Sequence, residues 1–115
     1  MESDCIFCRI VAGKTPARIV YEDDRVVAFH DISPSAPVHI LVIPRTHIGG
    51  PSDFGPENAA LAGHMLAVGA QVAREAGIAE DGYRLVLNQG RDGGQSVFHV
   101  HLHVLGGRRM KWPPG

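Results

Sequence analysis

The chain predicts an α+β fold built on an antiparallel sheet. Three observations carry this expectation: short β-rich runs occur as turn-joined neighbours, one long amphipathic stretch separates them into two groups, and no strand–helix–strand unit repeats as a doubly wound parallel sheet requires. A length of 115 residues fits one domain with a single core, and a hydrophobic content of 44% suits a folded globule.

Arg18 to Tyr21 and Arg25 to His30 read as the first two strands, a hairpin turned at the acidic Glu22-Asp23-Asp24. A proline-punctuated loop, Asp31 to Pro37, leads to Val38–Ile43, a run dense in β-branched residues. Pro44 ends it, having no N–H to give to a ladder. From Pro56 the periodicity changes. Proline suits a first helical position and Glu57 the positive end of the helix dipole. Leu61, Met65, Val68 and Val72 then form one apolar stripe, and Gly77 stops the helix after about five turns. Its alanines, with Gly63 and Gly69, let it lie close against a sheet or a second subunit. Tyr83 to Asn88 is the next strand. The glycine-rich connection Gln89 to Ser96 reads either as a flexible hairpin loop or as a loop whose N–H groups approach an anion.

The last strand carries the strongest signal. Across Phe98 to Gly107, His99, His101 and His103 alternate with Val100, Leu102 and Val104. Successive side chains of a strand point to opposite faces, so the histidines share one face and the aliphatic residues enter the core. Strand positions usually hold β-branched or aromatic residues, and three imidazoles at period two call for chemistry. That chemistry is either a metal cluster or a nucleophile with helpers.

Net charge is −1 with no run of like charges, which argues against nucleic acid as a partner and leaves a small anion open. The longest apolar run is too short to span a bilayer, and the acidic start Met1-Glu2-Ser3-Asp4 is unlike a secretory leader, so a cytoplasmic protein without a membrane partner is expected. The only cysteines, Cys5 and Cys8, form one Cys-x-x-Cys, which in a reducing compartment suggests metal binding or redox work before a structural disulfide.

Together these residues resemble the histidine triad (HIT) superfamily, and within it the Hint branch. The resemblance covers nearly the whole chain, treated as one domain over residues 1–115. It rests on His99-Val100-His101-Leu102-His103, on Phe29 to Pro34, on Ile43-Pro44-Arg45-Thr46-His47, on Asn88 with Gly93 to Ser96, and on the ending Trp112-Pro113-Pro114-Gly115. It implies a five-stranded antiparallel sheet with one long helix and a short N-terminal helix, in a homodimer whose sheets join into ten strands. It also implies hydrolysis or transfer at the α-phosphate of purine nucleotide conjugates, through a covalent nucleotidyl-histidine and without a catalytic metal.

Carried over residue by residue, His101 is the nucleophile, His103 and Ser96 are phosphate donors with the backbone around Gly94 and Gln95, and His39 orders the triad. Asp31 accepts from the ribose hydroxyls, with loop capping as its ordinary alternative. Ile6, Phe7, Ile10 and Phe29 wall the purine, Asn88 touches the nucleotide, and Trp112 reaches into the pocket of a partner subunit. His99 either orients His101 or ligates a structural zinc with Cys5, Cys8 and His47, a set that zinc-bearing relatives share; as a closed Cys2His2 tetrahedron it has no catalytic opening. His30 reads as structural, and His64 as a satisfied surface or interface residue. The leading activity is cleavage of purine nucleoside 5′-phosphoramidates. A dinucleoside polyphosphate hydrolase or nucleotidyl transferase, and a nucleotide-binding scaffold with slow hydrolysis, are the alternatives.

Overall fold

A computed structural model describes residues 4–115; Met1 to Ser3, part of the acidic start, lie outside the described residues. The elements are α1 (Ile6–Val11), β1 (Ile19–Glu22), β2 (Val26–His30), β3 (Val38–Pro44), α2 (Ala59–Glu75), β4 (Tyr83–Leu87) and β5 (Leu102–Gly106). The strands form one antiparallel sheet in the order β1-β2-β3-β5-β4. The expected α+β class and five-strand sheet are therefore present, as is the short N-terminal helix.

The central strands alternate between two cores. Val26 and Ala28 of β2, Ile40 and Val42 of β3, and Leu102 and Val104 of β5 pack with Met65, Val68 and Val72 of α2. Val27, Phe29, Leu41 and Ile43 point the other way and pack with Phe7 and Ile10 of α1. Burial on both faces explains why Val38–Pro44 is an almost continuous apolar run. His39 shares the α1 face with Leu41, and Leu41 pairs with His103, which brings His39 and His103 together as diagonal neighbours.

Two 3-10 turns, Pro51–Asp53 and Pro56–Asn58, precede α2, so the α-helix begins three residues after the proline that signalled it. The stripe from Leu61 to Val72 faces the sheet as expected. The two helix glycines part company. A Cβ on Gly69 would lie 2.9 Å from Leu102 Cδ2, whereas one on Gly63 would meet nothing within 4 Å.

The β1–β2 turn is organised by Asp23. Its Oδ1 accepts from the N–H groups of Arg25 and Val26, both at 2.8 Å, and its Oδ2 accepts from Tyr21 at 2.7 Å and lies 2.6 Å from His64 Nε2. Burial pushes this carboxyl up, but the donors outweigh it and hold it well below the usual carboxylate range. His64 is thus satisfied by a bond that fastens α2 to the hairpin.

The main departure is the triad strand. The ladder begins only at Leu102, and His99 and His101 precede it. Their backbone is engaged elsewhere: the Val100 N–H donates to Ile48 at 2.6 Å, and the His99 carbonyl accepts from the ring of His101. The division of faces nonetheless persists, since Val100 joins the α2 core while His99 and His101 contact Phe7. Substitution Gly69→Val is expected to cost about 1–3 kcal/mol by overpacking, while Gly63→Ala gains about 0.5–1 kcal/mol of helix propensity. Urea unfolding of the two variants checks this, and a destabilisation of equal size in both would contradict it.

Candidate active site and metal centre

The histidines sit against backbone groups whose polarity is not negotiable. A carbonyl only accepts and an amide N–H only donates, so each contact fixes which ring nitrogen carries the proton. His101 Nδ1 lies 2.8 Å from the His99 carbonyl oxygen and must donate to it, which leaves the Nε2 lone pair available. His99 Nε2 lies 2.9 Å from the Pro44 carbonyl and likewise donates, which leaves its Nδ1 lone pair available. His39 is held in the opposite sense: the Ser35 N–H donates to its Nδ1 at 3.0 Å, so the proton is on Nε2. His39 Nε2 then donates to His103 Nδ1 at 2.9 Å, and the remaining proton of His103 is on Nε2.

His103 Nε2 is the one buried side-chain polar atom among the described residues with no partner. An orphan donor in a cleft is costly unless a ligand completes it. Burial pushes the His103 ring down to about 4, helped by repulsion from His101 and His39 and opposed by Asp31. Burial also lowers His39, against the pull of Asp31. Both rings are therefore neutral at pH 7, which agrees with a Ser35 N–H that would collide with a protonated Nδ1.

His101 and His103 open into a cleft of about 270 Å³ between α1 and the sheet. Ile6, Phe7, Ile10 and Phe29 line it together with Asp31 and Ser96, so eight of the residues expected at the site converge there. Ile32, from the Phe29 to Pro34 motif, also lines it, as do Thr15, Pro16, Ala17, Leu41 and Val97, which carried no recognisable signal, being loop or core types without distinctive chemistry. His30 borders this cleft and a second hollow beside Val72 and Glu75 on the α2 side. Asp31 uses Oδ1 to accept from the Ser33 N–H at 2.8 Å, the capping role of a loop aspartate, and its Oδ2 lies 3.5 Å from His39 Nε2. Two carboxylate oxygens allow capping and ligand contact at once.

Other expected residues stand outside the cleft lining. The Gly94 and Gln95 N–H groups already donate to the Arg91 and Gly90 carbonyls, so of that trio Ser96 is the member placed at the cleft. The Gln95 side chain braces the loop, donating to Gly49 and Val97 and accepting from Gly90. Gly90 and Gly94 adopt φ of +71° and +79°, and a Cβ on Gly93 would lie 2.4 Å from the Gln89 carbonyl oxygen. The glycines thus serve a tight turn. Asn88 and Trp112 do not line the cleft, and Trp112 is 82% exposed. A larger hollow of about 580 Å³ beyond the C-terminus of α2 holds neither histidine nor cysteine.

Beside the cleft, Cys5, Cys8, His47 and His99 bring one ligand atom each to within 4.8 Å of one another. His99 Nδ1 lies 3.4 Å from Cys5 Sγ and 3.5 Å from Cys8 Sγ, and His47 Nδ1 lies 3.2 Å from Cys8 Sγ. Tetrahedral zinc, with bonds of about 2.0–2.3 Å, sets its ligands roughly 3.3–3.8 Å apart. The Pro44 bond supplies the tautomer such an ion needs, so the residues fit a structural zinc. Asp31, His39 and His103 form a second close group. There the Ser35 N–H keeps the proton on His39 Nε2 and disfavours a cation.

The HIT domain family model matches residues 12–110. The chain belongs to the HIT family. It is 50% identical over 110 residues to the purine nucleoside phosphoramidase of Escherichia coli K12, covering 96% of this chain and 92% of that protein. The crystal structure of a HIT family hydrolase from Legionella pneumophila Philadelphia 1 matches with a TM-score of 0.94 and 47% identity, over 96% of this chain and 99% of that one. A Zn-bound histidine triad family protein from Mycobacterium smegmatis matches with a TM-score of 0.78 and 39% identity, over 100% of this chain and 82% of that one. The protein is a hydrolase of the HIT family, and no helix among its described residues is long and apolar enough to cross a membrane.

The depressed His103 pKa has a consequence for stability. Because the unfolded ring titrates near 6.5 and the folded one at about 4, the unfolded state binds the extra proton between them. The contribution is fully present above pH 6.5 and is lost as pH falls toward 4. Thermal midpoints of His103→Gln should therefore decline less steeply than those of the parent protein between pH 6.5 and 4.5. Identical slopes would contradict this.

Proposed function

We propose that this protein hydrolyses purine nucleoside 5′-phosphoramidates and related amine or acyl conjugates at the α-phosphate, releasing the nucleoside monophosphate. The observation that carries the reading is the pairing of an Nε2 lone pair on His101 with an Nε2–H on His103 in one apolar-walled cleft. The 50% identity to the purine nucleoside phosphoramidase of Escherichia coli K12 supports the same substrate class.

In this reading the His101 Nε2 lone pair attacks phosphorus. The bond from phosphorus to the amine breaks, and the leaving nitrogen keeps the electron pair and takes up a proton from solvent. A near-neutral imidazole is a competent nucleophile without strong activation, and its Nδ1–H to the His99 carbonyl stabilises the positive charge the ring acquires. His103 Nε2–H and the Ser96 hydroxyl donate to the non-bridging oxygens, where charge accumulates. Water then attacks the phosphorus of the nucleotidyl-histidine and gives up a proton to solvent, and the imidazole leaves with its electron pair. His39 is a positioning residue that keeps the donor proton on His103. Asp31 takes the ribose hydroxyls through its free lone pairs, and Ile6, Phe7, Ile10 and Phe29 flank the base.

Cys5, Cys8, His47 and His99 hold a structural zinc, which when bound contributes cross-linking of the N-terminal segment and no open coordination position. The working unit is a homodimer. The edge strand β4 is open to pairing, and Leu66, Leu87, Phe98 and Trp112 are exposed apolar residues suited to burial between subunits. In that unit Trp112 and Asn88 meet the partner's cleft. A cytoplasmic location accords with two cysteines disposed as metal ligands and not joined in a disulfide.

Turnover of adenosine 5′-phosphoramidate tests the reading. The parent protein, prepared without chelator, should release AMP and carry one zinc per chain. His101→Ala and His101→Asn should keep the fold and lose at least on the order of 10³-fold in kcat. Equal rates in all three would remove His101 as the nucleophile, and absence of stoichiometric zinc would remove the metal.

A further inference from the structure

We propose that the cysteine–histidine centre is a positioning device for His101, acting through Phe7 and through the main chain of His99. This rests on the reading of His101 as the nucleophile. Two connections lead from the centre to that ring. His99 turns its Nδ1 to both cysteine sulfurs while its own carbonyl accepts the His101 Nδ1–H at 2.8 Å, so one residue holds a metal-ligand position and the nucleophile's tautomer. Phe7, placed between Cys5 and Cys8, packs edge-on against His99 at 5.9 Å and His101 at 5.1 Å between ring centroids.

The local structure makes this contact depend on the centre. The helix carrying Phe7 has six residues, and its N-cap is the Cys5 sulfur, which accepts from the Cys8 N–H at 3.4 Å. A helix that short has no independent stability. What fixes Phe7 on the imidazole is the burial of Phe7 and Ile10 together with the tethering of the two cysteines to His47 and His99. All four ligand positions come from protein, so a bound ion meets no substrate and its effect on rate is geometric. An error of about 1 Å at a reacting atom costs on the order of 10²-fold.

His47 is the ligand to change, because it is exposed and does not line the cleft. His47→Asn and Phe7→Leu are compared with the parent protein at a temperature where each is folded. The readouts are zinc content, thermal midpoint, kcat and KM on adenosine 5′-phosphoramidate, and, for His47→Asn, the His101 ring-proton shifts that the Phe7 ring current sets. We expect His47→Asn to lose zinc, shift the His101 resonances and lose about 10- to 100-fold in kcat. Phe7→Leu should keep zinc and show a comparable fall in kcat beyond any rise in KM. A folded, metal-free His47→Asn with parental His101 resonances and parental kcat overturns the proposal. Should that variant not fold, an unchanged kcat in zinc-loaded Phe7→Leu overturns it instead. Turnover that His101→Ala abolishes is the control: its failure removes the nucleophile reading, whereas its success beside unaltered variants removes only the coupling.

Discussion

The site depends on a bond of 2.8 Å between the His99 carbonyl and the His101 ring. It assigns the proton to Nδ1 and leaves the lone pair on the other nitrogen of a ring that lines the cleft. Three more contacts of the same kind complete the pattern, at Pro44, at Ser35 and between His39 and His103. Four chemically identical side chains become two donors into the backbone and a relay ending in an orphan N–H. The distinction lies in the polarity of the main-chain groups they face, which are held by the strands and by the loop at Ser35.

The sheet supplies the rigidity for this. Because β2 and β3 bury both faces, the strands are fixed between the α2 core and the smaller α1 core, and a shift of one residue would exchange the two sets. His39 and His103 occupy diagonal positions on the α1 face, where register determines their separation. The α2 side forms the larger core, and the α1 side carries the histidine-lined cleft. Gly69 lets the helix approach Leu102 closely, so the strand that bears His103 is supported from behind.

Much of this was legible in the order of residues. The period-two alternation from His99 to Val104 correctly divided imidazoles from core, and the stripe from Leu61 to Val72 correctly marked the buried helix face. The four residues of the cysteine–histidine centre, expected from resemblance, lie together. What could not be read was where the ladder starts, because His99 and Val100 make backbone bonds to groups remote in sequence or to a side chain. Gly94 and Gln95 resembled anion donors, but a tight turn consumes their N–H groups. Thr15 to Ala17 enter the cleft through chain path alone. The ring tautomers, on which the proposed chemistry rests, depend on contacts such as His99 to Pro44 that separate widely in sequence.

Nitrogen-15 NMR of the histidine side chains, recorded at pH 7 on the protein without substrate, tests the tautomer assignment most directly. His101 should carry a proton on Nδ1, His39 and His103 should be neutral and protonated at Nε2, and His99 should carry a proton on Nε2. A His101 ring protonated at Nε2 would leave no lone pair toward the cleft and would contradict it.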